Sequence, residues 1–126
     1  IHHLLMNNTD VTQLVSGRIY VPPVFVNSQA PFLIYQVIAN PIVQSQDGYS
    51  GLDETYVQID CYASDLMTAK RLANAVFEAL RNVRDTTVMD SQIQGIEFED
   101  RGRDVYEREA RLHIVRLECT VWAQQV

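Results

Sequence analysis

The 126-residue chain has 47% hydrophobic and 21% charged residues, an ordinary globular balance, and its length suits one domain spanning 1–126, able to bury a core without metal or disulfides. A net charge of −6 excludes a binder that grips nucleic acid by neutralising phosphates, which needs a basic face. It does not exclude a protein that DNA slides past, because a negative wall repels phosphates. Apolar runs such as Phe32 to Tyr35 fall far short of the about 20 residues of a spanning helix, so no membrane partner is expected.

The sequence starts at Ile1 rather than Met, and a few upstream residues are expected before it. Ile1 to Met6 is too short, and lacks the charged start, to be a signal peptide. Leu4 to Val15 reads as one or two helical pieces, the second capped by Thr9 or Asp10 and stopped by Gly17. Arg18 to Val21 reads as a short strand, ended by Pro22-Pro23. Phe32 to Ala39 is a strand with apolar residues on both faces, which predicts a central or doubly covered position. Asn40-Pro41 ends it. Gln44 to Asp53, with Gly48 and Gly51, reads as a loop or loose hairpin tip. Thr55 to Ala63 alternates cleanly, with Val57, Ile59, Cys61 and Ala63 against Tyr56, Gln58, Asp60 and Tyr62.

Residues 65–83 form the clearest helix. Leu66, Ala69, Leu72, Ala73, Val76, Phe77, Leu80 and Val83 recur every three or four positions, opposite Lys70, Arg71, Asn74, Glu78 and Arg81. Ser64 or Asp65 caps it. Arg84 to Gln92 reads as a loop and Ile93 to Asp100 as a strand. Arg101 to Asp104 then reads as the turn of an antiparallel hairpin. In Val105 to Ala123 the helix formers conflict with two-residue apolar steps whose phase shifts near Ile114-Val115. A long strand with a bulge there fits. The fold class is α+β: a mostly antiparallel sheet, one long helix packed on it, and a short N-terminal helix.

No catalytic constellation is visible. Walker, dinucleotide and nucleophile-elbow motifs are missing. Gly48-Tyr49-Ser50-Gly51 does not join a strand to a helix, as a phosphate cradle should. His2-His3 and His113 lack partners at metal-ligand spacing. Cys61 and Cys119 sit singly in strand-like segments and read as buried free thiols, which suits assembly in a reducing host cytoplasm. Glu97, Glu99, Asp100, Asp104, Glu107 and Glu109 interleave with Arg101, Arg103, Arg108 and Arg111. Neutralising arginines favour a salt-bridged surface or subunit interface over a glycosidase-like pair or metal site. No catalytic, cofactor-binding or metal-binding residue is assigned. Tyr49, Tyr56, Tyr62 and Tyr106 read as outward or loop tyrosines of the kind that anchor interfaces, with a sheet-covering place in the core equally open to Tyr56 and Tyr62.

Several segments in order carry a family resemblance: Val11-Thr12-Gln13-Leu14-Val15-Ser16-Gly17-Arg18-Ile19-Tyr20, Ala30-Pro31-Phe32-Leu33-Ile34-Tyr35-Gln36-Val37, Asp47-Gly48-Tyr49-Ser50-Gly51-Leu52, Val57-Gln58-Ile59-Asp60-Cys61-Tyr62-Ala63, Ala69-Lys70-Arg71-Leu72-Ala73-Asn74-Ala75-Val76 and a closing Val121-Trp122-Ala123. Together they resemble the phage tail-terminator family, also called tail-completion or tail-to-head joining proteins. The resemblance implies a non-enzymatic virion protein at the head–tail junction. It would be a ring of identical subunits, usually a hexamer, that ends tail-tube growth and docks on the head connector or stopper. DNA would pass through it without specific binding, and no cofactor is implied. Interface candidates are Gln46, Asp47 and Tyr49 in the polar loop and Arg101, Arg103, Arg108 and Glu109 in the final hairpin. The alternatives are a head-completion or connector component on the capsid side, and a small enzyme or ligand-binding domain using the acidic hairpin.

Overall fold

A computed structural model of the chain describes residues 2–22, 30–39, 44–45, 48–49, 52–88, 91–100, 102–108 and 111–125. Two short helices open it, α1 (His2–Met6) and α2 (Thr9–Val15). Asn8, rather than Thr9 or Asp10, caps α2: its Oδ1 accepts from the Val11 N–H at 3.1 Å. Ser16 and Gly17, with φ of 52° and 76°, terminate the helix in left-handed backbone. Leu5, Val11 and Val15 are fully buried and join the main core.

The long helix α3 spans Leu66–Leu80. Asp65 caps it, accepting from the Thr68 N–H at 3.0 Å and the Thr68 hydroxyl at 2.7 Å. Ala69, Leu72, Ala73, Val76 and Leu80 are its buried stripe. The helix stops short of the expected Val83. The Val83 N–H returns to the Leu80 carbonyl at 3.1 Å in a turn, and Val83 packs on the core from there, so its apolar spacing mimics one more helical turn.

The main sheet has the order β1 (Ile19–Tyr20), β2 (Phe32–Ala39), β5 (Leu52–Ala63), β9 (Leu112–Gln125), β7 (Ser91–Phe98), β6 (Thr86–Val88), with β8 (Arg103–Glu107) also paired to β9. A separate two-stranded piece, β3 (Gln44–Ser45) with β4 (Gly48–Tyr49), is the expected hairpin tip. Every pairing in the main sheet is antiparallel except β1 with β2. α3 covers one face of the curled sheet. Val57, Ile59, Cys61 and Ala63 of β5 and Val115, Leu117, Cys119 and Val121 of β9 point to it and are buried. Both cysteines are free thiols. Burial raises the Cys61 pKa well above its usual value and pushes Cys119 up to about 12.

Four details differ from the sequence expectation. The hairpin does not turn at 101–104. β7 and β8 run in the same direction along one side of β9, and it is β8 and β9, consecutive and antiparallel, that form the hairpin, with Arg111 at φ 55° just before β9. The expected bulge at Ile114-Val115 is not there: β5 and β9 stay in one register from Leu52↔Gln124 to Ala63↔His113. The two apolar phases arise because Ile114 and Val115 are buried on opposite faces of an unbroken strand. The presumed loop 84–92 contains β6 and the start of β7. Finally, β2 is not covered throughout. β1 pairs only with Leu33 and Ile34, and burial falls from Phe32 to an exposed Val37, Ile38 and Ala39.

Candidate assembly surface

The face of the sheet opposite α3 carries the polar alternation that the sequence shows in Tyr56, Gln58, Asp60 and Tyr62. Register places its residues in rows across four strands. One row reads Phe32, Tyr62, Ile114 and Val105 from β2 to β8. Phe32 and Tyr62 stack there with ring centroids 4.6 Å apart, so Tyr62 covers sheet rather than standing free in solvent. The next row reads Ile34, Asp60, Arg116 and Arg103.

Asp60 is the one buried charged residue among those described. The Arg116 guanidinium donates to it twice, from Nε at 2.9 Å and Nη2 at 3.3 Å, and Gln58 Nε2 donates at 3.4 Å. The Asp60 hydrogen bond raises the Arg116 pKa still further. Arg103, directly opposite Arg116, is held by Glu118 at 3.6 Å. Two like charges sit side by side because each has its own carboxylate. Glu54 extends the acidic side, accepting from the Tyr56 hydroxyl at 2.6 Å, a contact that raises the Tyr56 pKa.

The break between β7 and β8 is built by Gly102. Its φ is 126°, and a Cβ there would lie 2.6 Å from Val115 Cγ1. Asp100 Oδ1 accepts the Gly102 N–H at 2.9 Å. A cleft of about 290 Å³ opens between α3 and β8, lined by Lys70, Asn74, Phe77, Gly102, Asp104 and Val115. Lys70 and Asp104 pair across it at 3.4 Å, both about half exposed. That constellation has no nucleophile with an adjacent base. Among the described residues no group of three or more His, Cys, Asp or Glu could hold a metal ion, and no helix is long and apolar enough to cross a membrane. His113 is half-buried against Tyr106, ring centroids 4.8 Å apart.

Of the interface residues expected from sequence, Arg103 and Arg108 are exposed, in β8 and just beyond it. Tyr49 lies in β4, its backbone opposite Gln44. Gln46, Asp47, Arg101 and Glu109 lie outside the described residues. Among the described residues nothing brings Tyr49 together with Arg103 or Arg108. Sequence reasoning did not single out the Asp60–Arg116 pair, whose members are 56 residues apart. An acidic residue in a strand otherwise set among apolar and aromatic neighbours was the available signal.

The structure is a curled, mostly antiparallel sheet with one face under a helix and polar residues such as Gln58, Asp60, Arg116 and Glu118 on the other. A family model described as tail completion protein gp17 matches residues 1–124, and the chain belongs to that family. Among solved structures, a chain of the "Virion of native gene transfer agent (GTA) particle" superposes with a TM-score of 0.78 at 16% identity, covering 98% of this chain and 90% of that one. At that identity the likeness shows a shared fold. Among curated protein sequences none matches significantly.

Proposed function

We propose that the chain is a structural subunit of a ring at the head-proximal end of a phage-type tail, where it ends growth of the tail tube and joins the tail to the head connector. The observation that carries this reading is the match of nearly the whole chain to a tail-completion family. The geometry supports it. The open face combines Glu54, Asp60, Glu97, Glu107 and Glu118 with Arg103 and Arg116, an acidic excess. Turned inward, such a face lets a duplex pass without sticking. The ring is a closed cyclic assembly, usually of six copies in proteins of this kind. Its neighbours are the tail-tube protein and the connector, and it assembles in the host cytoplasm, where its buried thiols stay reduced. Gln46, Asp47 and Tyr49, with Arg101, Arg103, Arg108 and Glu109, contact neighbouring subunits or the connector.

Electron microscopy of particles made without this gene tests the reading. Overlong or unjoined tails beside filled heads are expected. Tails of normal length beside leaking heads would instead place the protein on the capsid side of the joint.

A further inference from the structure

We propose that the ring closes as one continuous antiparallel sheet, strand β8 of each copy adding in the next to the outer edge of β2 at Gln36 to Ile38, where among the described residues no strand pairs. This rests on the ring reading above and specifies its seam.

Two edges of the main sheet carry large exposed apolar side chains. On β2, Val37 is 59% and Ile38 49% exposed; on β8, Val105 is 36% and Tyr106 51% exposed. Each edge therefore offers one apolar side chain to each face. Val37, opposite Val57, and Tyr106 lie on the α3 side; β2 slips register between Val37 and Ala39, and that bulge sets Ile38 with Ala39 opposite Tyr56 on the open side, the side of Val105. The partner is a second copy because the two edges match each other in face, length and direction. β2, β5, β9 and β8 alternate in direction, so β2 and β8 of one copy are antiparallel. A rotation about an axis running broadly along the strands preserves those directions. It lays β8 of one copy antiparallel to β2 of the next, a head-to-tail contact of the kind that closes rings. Exposed apolar edges are also what a folded chain otherwise avoids.

The register follows from parity together with apolar matching. Residues directly opposite share a face, so Tyr106 meets Val37, and Val105 meets Ile38 at the bulge of β2. Glu107 then meets Gln36, and β8 ends just before Ile34, where β1 already occupies the edge. Within one copy Val105 shares its row with Phe32, so the seam shifts each copy by six residues, the step from 32 to 38, along the strands. Six residues at about 3.3 Å each over four strands about 4.8 Å apart tilt the strands by about 45°, the upper end of the range in which sheets close into barrels. A neutral edge against one bearing Arg103, Asp104 and Glu107 also avoids like charges meeting.

The test is cysteine crosslinking in assembled tails from producing cells carrying Ile38→Cys with Val105→Cys, using a short bismaleimide and a denaturing gel. The native thiols are buried, so they stay silent. A ladder of dimers and higher multimers from the double variant, with each single variant remaining monomeric, is expected. Val37→Cys with Tyr106→Cys repeats the test on the α3 side, and a thermal melt matching wild type shows that either pair folds. Incorporated protein that stays monomeric in both pairs overturns the seam while leaving the ring reading intact. Dimers from Ile38→Cys alone would show like edges meeting and overturn it too. A wild-type chain missing from tails altogether would bring down the ring reading and the seam with it.

Discussion

Asp60 and Arg116 show how one polar pair can set a sheet face. Asp60 is only 6% exposed, and burial of an unpaired charge is costly, so Arg116 makes Asp60 tolerable rather than stabilising the fold outright. Removing one partner is therefore worse than removing both. Arg116→Met should cost about 2 kcal/mol, below the 3–5 typical of fully buried pairs because the guanidinium keeps some water. Asp60→Asn with Arg116→Met should recover most of that in urea unfolding. Equal losses in single and double variants would mean the pair is not coupled. The cysteines allow a second check at this scale. Burial raises both thiol pKa values, so near neutral pH each stays protonated and unreactive. Alkylation followed by mass spectrometry should leave Cys61 and Cys119 unmodified in the folded protein and modify both in denaturant.

At the level of elements, α3 and the β8 segment behave differently because their determinants differ. α3 is read from local periodicity, which gave its buried stripe from Ala69 to Leu80 but also took in an exposed Leu66, and which offered Asp65 as one of two caps. Leu72 is fully buried, so Leu72→Ala should lower unfolding free energy by about 2–5 kcal/mol. The cap adds a pH dependence. Hydrogen bonds from Thr68 lower the Asp65 pKa, so its contribution is present above the unfolded carboxylate pKa and is lost as pH falls through the lower folded value. Asp65→Asn should flatten that part of the stability profile at acid pH. The β7–β8 segment was misread because Arg101 to Asp104 has turn composition, yet the pairing partner of each strand is non-local. The turn chemistry is used to break a strand at Gly102 instead of reversing it. The true reversal, between β8 and β9, falls in a stretch of helix-forming sequence. Gly102→Ala, which would press a Cβ against Val115 in left-handed backbone, should destabilise the fold by about 1–3 kcal/mol.

For the whole molecule, fold class and family were accessible from segment order, while the assembly surface was not, because it is built from edges. Whether Val37 and Ile38 are core or exposed depends on β1 stopping at two residues, and no periodicity in 32–39 reports the length of a neighbouring strand. The charged hairpin, by contrast, was visible early, and the structure now separates its roles. Arg103 is tied to Glu118 within its own chain, whereas Arg108 follows β8 at the point where a neighbouring copy would approach. An exposed pair such as Arg103–Glu118 is worth at most about 1 kcal/mol, so Arg103→Glu should barely change the melting temperature. Arg108→Glu should change it even less. Both should reduce recovery of the protein in purified tails, with Arg108→Glu recovering as salt rises because screening relieves new repulsion between like charges. Full incorporation of both variants at low salt would show that the hairpin arginines face solvent in the assembled tail, and that the apolar edge residues alone hold neighbouring copies together.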